Sequence, residues 1–185
     1  MPTIGVMGAS DAHLQRLQSA NLSMAQSAQD RARNLGAFLA THPANLLTGG
    51  GGGLMRAVSS GFSSARNRNG KIIGVIPGPS ARQGYPNEFV EILIRTHLPG
   101  QDPLAETSRN HINVLTSDAI IALPGGPGTH AEIRLAQFYK RPICVWLDPE
   151  EQIDGFPQQH FANSGIPVPS SYRELGAWLE RSMTG

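Results

Sequence analysis

Cysteine is almost missing from this 185-residue chain. Cys144 stands alone, which excludes a disulfide framework and any multi-cysteine zinc site. It lies inside an apolar segment and reads as a core residue. Lysine is nearly as scarce: only Lys71 and Lys140 occur, one opening a strand-like segment and one closing a helical one. Neither suits the Schiff base of a pyridoxal-dependent decarboxylase. The six histidines, at 13, 42, 97, 111, 130 and 160, never stand at metal-ligand spacing, so no metal site is expected. Charge of either sign is sparse, with 15 Lys plus Arg against 14 Asp plus Glu and a net of +1. That balance argues against a nucleic-acid partner held by bulk charge. No apolar run reaches the ~18 residues of a membrane span, and the opening Met1-Pro-Thr-Ile-Gly-Val-Met-Gly lacks the basic stretch of a signal peptide. A cytoplasmic protein of one domain, residues 1–185, with no membrane contact, is expected.

What the chain does have is glycine and proline, 21 and 14 residues. The glycines cluster at 49–53 and 125–128, each time directly after a strand-like segment. Apolar runs at 3–8, 45–48, 71–76, 89–96, 118–123 and 142–147 read as strands. Apolar residues at helical spacing predict helices over 22–41, 54–65, 105–116, 129–139 and 170–181, with polar loops at 9–21 and 99–103. Continuously apolar strands alternating with helices predict a three-layer Rossmann-like α/β fold, its mostly parallel sheet covered on both faces. In such folds ligands bind beyond the carboxyl ends of the strands, where both glycine clusters fall.

Thr48-Gly-Gly-Gly-Gly-Gly-Leu-Met55 joins a strand to a helix almost without side chains. Amide groups at a helix N-terminus suit an anion, although a plain tight turn has the same composition. A Walker loop is excluded, because Gly70-Lys71 is followed by Ile72. Leu123-Pro-Gly-Gly-Pro-Gly-Thr-His-Ala-Glu132 is more specific, its prolines restricting the loop and its glycines exposing backbone. Residues 126–131 formally match G-x-G-x-x-A, and Asp148 follows about 20 residues on, but the position late in the chain disfavours a dinucleotide. Thr129 and Glu132 also have the spacing of a capping box, so Glu132 reads either as a cap or as a reactive carboxylate. Arg109 reads as a helical arginine, and Arg56, Arg66, Arg68 and Lys71 as a solvated helix end.

Together these segments resemble the LONELY GUY (LOG) family, often labelled lysine decarboxylases. The signature Pro124 to Glu132, Arg109 placed 23 residues before Glu132, and Gly53-Leu54-Met55 carry the resemblance. Asn110 and Ala131 depart from that pattern, and residues 48–55 and 108–113 look more like a branch that includes molybdenum-cofactor carrier proteins. The resemblance implies a nucleoside 5′-monophosphate phosphoribohydrolase without a cofactor, or else a non-catalytic carrier of a phosphorylated ligand. It assigns catalysis to Arg109 and Glu132. Phosphate and ribose contacts go to Gly8, Ser10, Gly49, Gly50, Gly53, Met55, Gly125, Gly126, Gly128 and Thr129. It also implies a homodimer, with Ile133, Ala136 and Tyr139 offered for burial.

Such a hydrolysis builds positive charge at C1′, which a carboxylate can stabilise. Glu132 is the candidate. Arg109 stays protonated at ordinary pH, so its roles are binding phosphate or orienting Glu132. His111 and His130 are the nearby candidates for protonating the leaving base, with His130 expected on the helix surface.

Overall fold

The computed structural model describes residues 1–78, 85–98 and 108–183. Six short strands build one sheet: β1 (Thr3–Met7), β2 (Asn45–Thr48), β3 (Ile72–Ile76), β4 (Ile92–Arg95), β5 (Ala119–Ala122) and β6 (Ile143–Val145). Every pairing is parallel, in the order β4-β3-β2-β1-β5-β6. From β1 the chain moves outward to β4, then crosses back to place β5 on the other side of β1. The β1–β5 junction is therefore the switch point at which Rossmann-type sheets open a crevice.

Alternation along the strands sorts the core into two layers. Ile4, Val6, Leu46 and Ile121 face α1 (Asp11–Ala20), α2 (Leu22–Leu39), α3 (Leu54–Ser64) and α7 (Tyr172–Met183). Met7, Leu47, Ile120 and Val145 face α4 (Asn110–Thr116), α5 (Pro127–Phe138) and α6 (Gln158–Asn163). This is the expected Rossmann-like sandwich of helices, sheet and helices. Helices α2 and α3 approach with backbone almost touching. A Cβ on Gly36 would lie 2.0 Å from the Val58 carbonyl oxygen, and one on Gly61 would lie 1.8 Å from that of Arg33.

Several expectations are corrected. Residues 9–21 hold helix α1, not a loop. It was illegible because Leu14 is its one fully buried residue, and Asn21 separates it from α2 by accepting the Met24 N–H at 3.0 Å. The strand expected at 89–96 is only Ile92–Arg95, and the helix expected from 105 begins at Asn110. Residues 99–103 and 105–107 lie outside the described residues. A hairpin of β7 (Gln152–Ile153) and β8 (Phe156–Pro157) was missed. Its turn residues, Asp154 (φ 54°) and Gly155 (φ 82°), form the Asp-Gly pair that such turns favour. Ile133 and Ala136, offered for a dimer face, are buried in this chain's own core, and Phe138 is the exposed apolar residue of α5.

Candidate functional site

The switch point gathers three loops, after β1, β2 and β5. They enclose a cavity of about 190 Å³. Of the residues singled out in the sequence, Gly8, Ser10, Gly49, Met55, Arg109, Gly126, Gly128, Thr129 and Glu132 line it. Gly50, Gly53 and Gly125 do not. Gly50 (φ 70°) packs against Gly74 and Ile76, and Gly53 (φ 65°) against the Ala9 carbonyl. Gly125 is stitched to the β7–β8 hairpin, its carbonyl accepting the Asp154 N–H at 2.8 Å.

The glycine run is shaped mainly by its own protein neighbours. A Cβ on Gly49 would meet Arg109, one on Gly51 the Tyr85 ring, and one on Gly52 the Asp11 carboxylate. Asp11 Oδ1 also accepts the Gly53 N–H at 2.7 Å. A carboxylate of the chain therefore already sits at the N-terminus of α3, where the sequence suggested an external anion.

The N-terminus of α5 is open by contrast. Gly126 is its N-cap and Pro127 its first residue, so Thr129 is third and Glu132 sixth. The Thr129–Glu132 capping box therefore does not form: Pro127, favoured at the first helical position, moves the N-cap from Thr129 back to Gly126. The amides of Gly128 and Thr129 fall in the first turn, where no carbonyl of the helix can accept them. A Cβ on Gly128 would meet nothing within 4 Å. Basic side chains of Arg16 and Arg109 share the cavity wall with Glu132. Open amides, a helix dipole and two guanidinium groups are features that suit an anion.

Glu132 is 8% exposed, and its Oε1 accepts from Asn113 Nδ2 at 2.8 Å. Burial raises its pKa to about 7, against the opposing pull of the Asn113 hydrogen bond and the Arg109 charge. Near neutral pH both its protonated and its ionised form are therefore accessible. Arg109 occupies the N-cap position of α4, not a helix interior. Its Nη1 donates to the Gly49 carbonyl at 2.7 Å and also to that of Val75, tying the ends of β2 and β3 together. Its guanidinium carbon lies 5.8 Å from the Tyr85 ring centre.

The two histidines considered as proton donors are engaged elsewhere. His130 Nδ1 lies 3.0 Å from Asp154 Oδ2, and His111 Nδ1 lies 2.8 Å from the Tyr139 hydroxyl. His130 is half-buried against the hairpin and not free on the helix surface. His13 lines the cavity instead, and burial, with Arg16 close by, lowers its pKa. His13, Arg16, Tyr85 and Asn113 were all missed. Recognising α1 would have signalled the first two, since a helix after the first strand of such a sheet begins at the crevice.

Among the described residues no group of three or more His, Cys, Asp and Glu could hold a metal ion. Arg56 pairs with Glu88, and Arg68 and Lys71 share Glu91, so each of these cations has a carboxylate partner. Cys144 is buried and its thiol pKa is pushed up by desolvation. No described helix is long and apolar enough to cross a membrane.

Residues 1–166 match the SLOG cluster4 family. The chain belongs to that family. It is similar over its whole length to the molybdenum cofactor carrier protein of Chlamydomonas reinhardtii, at 30% identity and a TM-score of 0.73, covering 100% of this chain and 99% of that one. The molybdenum cofactor binding protein of Rippkaea orientalis is 31% identical with a TM-score of 0.70, covering 99% and 98%. An uncharacterised protein of Archaeoglobus fulgidus is 32% identical over 124 residues, 67% of this chain and 73% of that one.

Proposed function

We propose that this SLOG protein binds a small phosphorylated molecule, its phosphate seated on the open N-terminus of α5. The observation that carries this reading is the first turn of α5, whose Gly128 faces open space beside Arg16 and Arg109. A carrier role for a phosphorylated pterin such as the molybdenum cofactor is supported by the likeness to the Chlamydomonas and Rippkaea proteins. The anchoring of Arg109 on two backbone carbonyls agrees with it, because that arginine then shapes the crevice without entering a reaction.

A second reading, hydrolysis of the N-glycosidic bond of a nucleoside 5′-monophosphate, is favoured by Glu132. A buried carboxyl with a pKa of about 7 is suited to proton transfer at neutral pH, and no carrier requires one. As the anion it would stabilise charge at C1′; as the acid it would protonate a leaving base, for which His111 and His130 are not positioned.

Incubation with a panel of nucleoside monophosphates, followed by chromatography of free base, separates the two. Ligand binding without base release supports the carrier. Base release that falls by about 100-fold or more in Glu132→Gln supports the hydrolase, since that change removes the charge and keeps the shape. Failure of every phosphate ester, pterin or nucleotide, to bind would refute both.

A further inference from the structure

A second cavity, of about 290 Å³, lies directly beside the phosphate crevice. His13 lines both, and the backbone between them is divided the same way, Gly126 facing the crevice and Gly125 the second cavity. The contact is close: a Cβ on Gly126 would lie 2.9 Å from His13 Nδ1. No other residue than His13 is common to the two linings, so its imidazole is the partition.

The crevice alone is undersized. Pockets for organic ligands run from ~300 to 1,000 Å³, and 190 Å³ suits a phosphate and little more. The second cavity supplies the missing room and a different chemistry. Leu17 of α1 and Met24 and Ala28 of α2 face Pro124 across it, an apolar slot between helix and loop. Its rim carries Glu150 and Gln152, side chains that accept hydrogen bonds. Beneath them Glu151 is 3% exposed and fixed by Arg31 at 2.7 Å and by the Asp148 N–H at 2.7 Å, so that wall is rigid.

We propose that this second cavity holds the planar, amino-substituted nitrogen heterocycle of the ligand whose phosphate rests on α5. Apolar walls take the ring faces, and the acidic and amide rim accepts from the ring's amino and N–H groups. His13, which lines both cavities, forms the sill over which the connecting chain passes. Purine and pterin rings share this edge chemistry, so the cavity serves either reading of the function. The inference rests on the phosphate site proposed above.

Calorimetry with ribose 5-phosphate, adenosine 5′-monophosphate and neopterin phosphate tests it. At least one ring-bearing ester should bind about tenfold or more tightly than ribose 5-phosphate. Met24→Trp fills the slot and should abolish that advantage. Leu17→Trp, from the other helix, should do the same and covers the case in which the first variant does not fold. Equal affinities for all three esters in the wild-type protein overturn the inference while leaving the phosphate site standing. An advantage that survives in a folded tryptophan variant overturns it too. Absence of binding by every ester defeats the phosphate site itself, and this inference with it.

Discussion

Glu132 is a carboxyl taken out of water, and its titration has a definite sign. Its carboxyl is raised from 4.5 to about 7 in the folded chain. Between those values the unfolded chain has lost the proton and the folded chain has kept it, so stability falls as pH rises. The loss is complete above about 7 and amounts to about 3 kcal/mol if Glu132 titrates alone. Glu132→Gln should therefore raise the melting temperature at pH 8, and should flatten the decline that the wild-type protein shows between pH 5 and pH 7. Identical thermal profiles for the two proteins would mean that the carboxyl is hydrated. Gln keeps the acceptor for Asn113, so the comparison isolates the charge.

At the scale of the element, α5 and the α2–α3 pair give opposite expectations. Gly128→Asp places a carboxylate at the open end of α5. It should weaken binding of a phosphate ester about tenfold or more while leaving the melting temperature equal or higher, because an acid favours a helix N-terminus. Gly61→Ala leaves the site untouched but drives a methyl toward the Arg33 carbonyl oxygen. Denaturant unfolding should show a loss on the order of 1–3 kcal/mol, the usual range for overpacking. Elements of this kind were unevenly legible. Strands β1, β2, β3 and β5 were readable because both faces are largely buried and their central residues are apolar. Helix α1 was not, because only one turn of it is packed, and β4 was overextended because its burial is partial at the sheet edge. The signature loop located the cavity, yet Thr129 misled: hydroxyl and glutamate spacing suggested a cap, while Pro127 decided where the helix begins.

At the scale of the whole molecule, α4 and α5 each carry an apolar side chain that the described residues leave uncovered. Phe138 is 75% exposed and Leu115 44% exposed. We propose that a second copy of the chain covers these side chains through a two-fold axis, the commonest closed arrangement. Sedimentation at micromolar concentration should give twice 19.8 kDa, and Phe138→Asp should return the single-chain mass. A wild-type protein that sediments at 19.8 kDa would rule this out.

The carboxylate of Asp11 on the Gly53 amide has a consequence for selectivity. Helices α3 and α5 both begin beside this crevice and each N-terminus suits negative charge, but that of α3 is already occupied by the chain itself. On the proposed reading the site admits one phosphoryl group and disfavours a second, because a diphosphate would have to evict a covalently tethered rival. Inorganic phosphate should outbind pyrophosphate in the wild-type protein. In Asp11→Asn, where the bond to Gly53 can persist but the charge is gone, that preference should shrink or reverse.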